Sequence, residues 1–195
     1  MTRTNKIFLG LLVLAVIGLA VLWSITYFKN KPLPVLGQVT AFSLTDSDEQ
    51  SFEASALKGQ VWVADFVFTS CPGPCPLLTK KMSLLQKDYI GRDDVSFVTF
   101  TVDPDTDTPA VLRKYAAKYE ADTKQWHFLT GPIDELKRVM TDEFKLGYAD
   151  DILEHSDRIV LIDRNMQIRG YYMGSLQGDS ERLKHDLARL VQESE

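Results

Sequence analysis

Cysteine and histidine are scarce in this 195-residue chain, with two of the first and three of the second. Two cysteines so close together cannot staple a disulfide-rich scaffold or complete a four-cysteine zinc site, so they read as one local device. Acidic residues are missing from the first 31 positions, which hold Arg3, Lys6, Lys29 and Lys31. The remainder therefore carries 18 basic against 27 acidic residues, a balance of −9, although the whole chain stands at −5. A body of that sign lacks the electrostatic footprint of a nucleic-acid binder but suits a basic partner or a cation. Internal repeats and low-complexity stretches are also absent. The length leaves room for one globular domain after a hydrophobic start, and a composition 45% hydrophobic and 25% charged is that of a folding chain.

Ile7 to Phe28 contains no charge over 22 positions. At about 1.5 Å of rise per residue such a helix spans a hydrocarbon core of about 30 Å. The stretch is longer than the apolar region of a cleaved signal peptide and ends in Tyr27-Phe28-Lys29 without a small-residue cleavage site, so an uncleaved transmembrane anchor is expected. Trp23 and Tyr27 suit the aromatic belt at its end, and the basic residues lean slightly towards a cytoplasmic N-terminus. The expected organisation is a short tail at 1–6, the anchor at 7–28, a linker at 29–36 stiffened by Pro32 and Pro34, and a domain over 37–195.

Within the domain, the polar cluster Thr45 to Gln50 separates two apolar arms, Phe42 to Phe52 overall, as in a hairpin. Val61 to Phe68 is an almost continuous β-branched and aromatic run, expected of a central strand covered on both faces. Helical spacing follows from Cys75 to about Tyr89, then a strand at Val95 to Thr101, and a helix with Pro109 at its first position. A short strand at Trp126 to Leu129, a helix at Ile133 to Phe144, strands at Arg158 to Ile162 and Ile168 to Met173, and a helix at Asp179 to Val191 complete an α/β sheet domain.

Cys71 and Cys75 lie in Thr69-Ser70-Cys71-Pro72-Gly73-Pro74-Cys75-Pro76, where the central strand passes into a helix. That carboxyl edge is where ligands collect in open α/β sheets. Their spacing allows a disulfide that opens and closes, and the helix N-terminus favours a thiolate. Thiolates are soft ligands suited to Cu(I), and a neutral imidazole would complete a three-coordinate site. Of the histidines, His155, in a polar loop before the strand at 159–162, is the candidate; His127 within a strand reads as packing or solvent-facing, and His185 among charges as solvated. Asp103 and Asp107 either accept hydrogen bonds near the site or serve as turn and cap residues before Pro109. Met166 and Met173 read as packing. The plain alternative for the cysteines is a buried pair or a permanent bridge, but so short a bridge would stabilise little.

Phe68 to Pro76, then Thr101-Val102-Asp103-Pro104-Asp105-Thr106-Asp107-Thr108-Pro109, then His155-Ser156 ahead of Val160-Leu161-Ile162-Asp163, together resemble the Sco/SenC family. The resemblance implies a thioredoxin-like fold with an N-terminal β-hairpin extension, set behind a membrane anchor. It also implies copper held by Cys71, Cys75 and His155, thiols able to exchange disulfides, and a role in assembling the dinuclear copper centre of cytochrome c oxidase. The implied partners are the oxidase's copper-binding subunit, other periplasmic copper carriers or thiol reductants, and the lipid bilayer through 7–28. The domain would sit outside the cytoplasm on the inner membrane. Two departures are visible: Gly73-Pro74 between the cysteines in place of an acidic residue, and the charged Asp157-Arg158 beside the implied histidine. Whether delivery of copper or reduction of the oxidase's cysteines through Cys71 and Cys75 is the main task stays open. A peroxidase is disfavoured because the motif displays no activating arginine.

Overall fold

The computed structural model describes residues 12–20, 23, 32–146 and 157–193. The chain divides into two compact units, Met1–Leu33 and Pro34–Glu195. In the first, residues 12–20 are helical (α1) with exposed side chains, and Trp23 is helical too. Among the described residues no helix is long and apolar enough to cross a membrane. The rest of the expected anchor, the tail at 1–6 and linker residues 29–31 lie outside the described residues, as does His155.

The second unit is built on a sheet whose central strands run almost without polar residues, since both their faces are covered. β4 (Val61–Val67) and β5 (Val95–Thr101) are buried at every position. Flanking them are β6 (Trp126–Thr130), β7 (Arg158–Ile162), β8 (Gln167–Met173), and the short β1 (Gly37–Gln38), β2 (Ser43–Asp46) and β3 (Ser51–Glu53). Among the described residues the strand order is β1-β8-β7-β4-β5-β6-β2-β3. β4, β5 and β6 are parallel, and the remaining pairings are antiparallel.

The expected hairpin is present as β2 and β3. Its turn is fixed by the Asp46 carboxylate, which accepts from the backbone N–H groups of Asp48 at 2.8 Å and Gln50 at 2.9 Å, while Glu49 takes a left-handed φ of 64°. It does not stand apart as an extension: β2 pairs with β6 and so continues the main sheet at its edge.

α2 (Cys75–Lys87) links β4 to β5, and α3 (Pro109–Lys118) links β5 to β6. Right-handed crossovers between parallel neighbours put both helices on one side of the sheet. α4 (Ile133–Arg138) contributes to the opposite side, and α5 (Gln177–Gln192) closes the domain. The uniform helix expected over 133–144 is instead α4 followed by a wider π turn, Val139–Glu143, closed by the Phe144 N–H on the Val139 carbonyl at 3.0 Å. That extra width lets Val139, Met140, Glu143 and Phe144 all turn inward, where Phe144 meets Trp62, Phe66 and Phe100 edge-on.

Candidate metal and thiol centre

β4 delivers the chain to its carboxyl edge at Val67, beyond which Phe68 to Pro74 form the cysteine loop. The Cys71 N–H turns back onto the Phe68 carbonyl at 3.2 Å, and the Gly73 N–H points at the Cys71 sulfur from 3.4 Å. Cys75 is the first residue of α2, Pro74 its cap and Pro76 its second residue, placed where a missing backbone N–H costs the helix nothing. No disulfide joins the two sulfurs.

Both sulfurs are covered, although ligand capture or disulfide exchange at a strand end calls for access. Cys71 is 6% exposed and Cys75 0%. The cause is helical register: Cys75, Leu78, Thr79 and Met82 fall on one stripe of α2, and that stripe faces the sheet. The cover over Cys71 is thinner, because the adjacent Pro72 and Gly73 are themselves exposed.

Asp107 holds this loop from below. Wholly buried, its carboxylate accepts from the Thr69 N–H at 3.0 Å, from the Thr69 hydroxyl, and from the Thr101 hydroxyl at 2.6 Å, joining the loop to the end of β5. Asp103 acts through its backbone: its carbonyl accepts from the N–H groups of Thr106 and Asp107, and its own N–H bonds the Thr101 hydroxyl. Asp107 thus positions the segment two residues before Cys71, whereas Asp103 shapes the turn that presents Asp107.

His127 lies against the Phe52 ring at 4.5 Å, and burial lowers its pKa, with the Asp46 charge pulling the other way. His185 reaches only the neighbouring Asp186, 3.2 Å away. Met166 is buried in the apolar core at the β7–β8 turn, and Met173 ends β8 partly exposed. Among the described residues no cluster of three or more histidine, cysteine or acidic side chains converges on a metal position. Cys71 and Cys75 share one loop and helix start, and Asp107 bonds Thr69 of that loop; of the third implied ligand, His155, the structure describes nothing.

One group escaped the sequence reading. Asp65 sits in the middle of β4, 0% exposed. Its Oδ1 accepts from the Thr99 hydroxyl at 2.6 Å, while its Oδ2 is buried without a hydrogen-bond partner. Burial pushes the carboxyl up to about 7, the bond from Thr99 offsetting only part of that rise. The signal was present: an acid inside an apolar run long enough to be a two-faced strand has no route to solvent.

Residues 35–192 match the family described as SCO1/SenC. This chain belongs to the SCO1/SenC family. A SCO1/SenC family lipoprotein from Bacillus anthracis is 34% identical with a TM-score of 0.71, over 83% of this chain and 98% of that one. BsSco, a Sco protein of cytochrome c oxidase assembly for which a disulfide switch is described, is 30% identical with a TM-score of 0.72, over 82% of this chain and 97% of its own. Bradyrhizobium japonicum ScoI, solved with copper bound, shares the fold at 24% identity and a TM-score of 0.60, over 79% of this chain and 99% of that one. The sheet and helices described above are therefore the mixed α/β, thioredoxin-like Sco fold, with the cysteine loop at the carboxyl edge of its central strand.

Proposed function

We propose that this SCO1/SenC chain binds copper through Cys71 and Cys75, with His155 as the third ligand, and passes it to the copper-binding subunit of cytochrome c oxidase. The observation that carries this reading is the unbridged cysteine pair between β4 and the N-terminus of α2, with its loop pinned by Asp107. Two soft sulfur donors fit a soft monovalent cation, and ionised thiols are the state that such a cation selects. Copper is cargo in this scheme, gained and lost by ligand exchange. Because Cys75 is buried and Cys71 nearly so, exchange requires local opening of the cysteine loop and the start of α2. The apolar stretch over 7–28 would tether the domain to the inner membrane, outside the cytoplasm, within reach of the oxidase and of other copper carriers or thiol reductants.

A Cu(I) competition titration of the reduced full chain in detergent tests this reading. One tight site is expected, abolished in Cys71→Ser and Cys75→Ser and weakened at least about tenfold in His155→Ala. Binding unchanged in either cysteine variant defeats the proposal, and binding unchanged in the histidine variant removes that residue from the site.

The unequal cover of the two thiols supports a second reading. With three residues between it and the fully buried Cys75, the less covered Cys71 suits disulfide chemistry, in which Cys71 attacks a target disulfide and Cys75 resolves the mixed disulfide. Two electrons then leave the pair and reduce the target cysteines. In that case the reduced chain reduces a disulfide-bonded oxidase peptide as fast in His155→Ala as in the wild type; an inert dithiol rules it out.

A further inference from the structure

Helices α2 and α5 come together over Ile159 of β7, and the seam between them stays open as a groove of about 370 Å³, within the size range of ligand sites. Register along each helix explains its lining. On α2, Leu78, Met82 and Leu85 turn towards the sheet, while Leu77, Lys81 and Leu84, at i, i+4 and i+7, form the next stripe outward. On α5, Leu183 and Leu187 turn inward, and Gln177, Ser180, Glu181 and Lys184 make the facing rim. The floor is therefore apolar, built from Met82, Leu85, Ile159 and Leu183. Leu77 and Leu84 are 53% and 50% exposed, and Leu176, just ahead of α5, is 50% exposed. Three large side chains half in water along one apolar groove are more than the scattered exposure of an ordinary surface.

The cations of this groove have no counter-charge within it. The Lys81 ammonium donates to the Gly174 carbonyl and, at 3.0 Å, to the Ser180 hydroxyl, two neutral acceptors that fix it at the mouth. Lys184 stands exposed one turn beyond Ser180. Among the described residues neither lysine forms an ion pair, and Glu181 on the same rim pairs with neither. An occupant that answers this groove brings apolar side chains for the floor and carboxylates for the two ammonium groups. The balance of −9 over the body opposes an anionic bilayer leaflet and a second copy of this chain alike, whereas a short acidic segment meets the lysines within a Debye length of about 10 Å. A flat lipid surface also cannot enter a groove between two helices.

We propose that the groove between α2 and α5 docks an acidic segment of a partner protein, with its apolar side chains over Met82, Leu85, Ile159 and Leu183 and its carboxylates on Lys81 and Lys184. This goes beyond the copper reading and holds whether the cysteine loop carries a metal or electrons. The place of the groove in the fold gives it a use. Leu77 lies two residues beyond Cys75, about 3 Å of helical rise, and Leu84 about 10 Å farther along α2. A segment seated there runs beside the helix towards the cysteine loop, and so holds and orients the protein that meets that loop. The apolar floor supplies the affinity, and the rim lysines supply the encounter rate and the choice of an acidic partner.

The test is fluorescence anisotropy of a labelled peptide of about twelve residues, leucines at helical spacing among glutamates, with the copper-free full chain in zwitterionic nanodiscs. Saturable binding is expected, weakening as salt is raised and falling about three- to tenfold in Lys184→Glu and in Leu84→Glu. Both side chains are exposed, so neither change disturbs the core. The same peptide with lysine in place of every glutamate should bind at least about tenfold more weakly. The absence of saturable binding, or equal binding by the wild type and both variants, overturns the proposal. Two other results overturn it as well, each with no binding to the peptide: attachment to anionic vesicles that is lost in Lys184→Glu, which gives the groove to a membrane surface, and self-association that is lost in Leu84→Glu, which gives it to a second copy. Copper is absent throughout, so a failed copper titration and a failed peptide titration are separate results.

Discussion

The two faces of the central sheet are equally buried and differently made. One carries Trp62, Phe66, Phe100 and Phe144 with Phe42, Leu136 and Met140, rings meeting at 5.1 to 5.9 Å, and its buried acid, Glu143, is paired with Arg138 at 2.7 Å. The other holds Val63, Phe97, Trp126 and Phe128, but also Asp65, Thr99, Tyr115 and Thr79, and it lies under the helix that begins at Cys75. The first face supplies stability by dispersion and water exclusion. On the second, part of that gain is given up to keep the half-satisfied Asp65 carboxyl and a pair of bonded hydroxyls, Tyr115 and Thr79, the latter on the Cys75 carbonyl. Burial alone says nothing about chemistry; what distinguishes the reactive face is polarity retained where packing would have removed it.

The sharpest way to break this contrast is on the apolar face. Phe100 touches Phe42, Phe66 and Phe144, so Phe100→Ala should leave a cavity and cost about 3–5 kcal/mol in urea unfolding. A smaller loss is expected from Asp107→Ala at the edge of the other face. It strips acceptors from the Thr69 N–H and hydroxyl and from the Thr101 hydroxyl, at about 2–4 kcal/mol by the same measurement. That variant should also expose Cys71 to alkylation, since its loop loses its tie to β5.

The smallest effect has the opposite sign. Because the folded protein holds the Asp65 carboxyl up near 7, above its unfolded value, the fold prefers the protonated form. Its stabilising share is full below the unfolded pKa and is lost as pH rises through about 7. Asp65→Asn should therefore match the wild type near about pH 4 and exceed it by roughly 1–3 kcal/mol above neutrality, read as a difference between urea midpoints across pH. A variant less stable than wild type at every pH would show that the carboxylate, when charged, finds a partner the fold does not display.

Much of this was legible in the residues. The run from Val61 to Phe68 announced a two-faced strand, Pro109 the start of α3, and Cys71 with Cys75 a local device at the strand end, because apolar continuity, proline geometry and paired thiols are local properties. The π turn at Val139–Glu143 was not legible: a helix and its one-residue bulge share a sequence pattern and differ only in what Phe144 packs against. Nor was the choice between capping and positioning for Asp107, since its partners Thr69 and Thr101 come from two other elements.

Sequence alone determined that this chain has one α/β domain behind an apolar stretch, with two cysteines at the junction of a central strand and a helix. It also determined the family, through motifs whose order along the chain is itself the information. Only the tertiary structure decided that Cys75 faces inward, that Asp107 ties the loop to β5, and that Asp65 is shut from solvent with one oxygen bonded to Thr99 and the other unpartnered. Periodicity and residue type travel along the chain, whereas desolvation depends on what other segments bring to the same place.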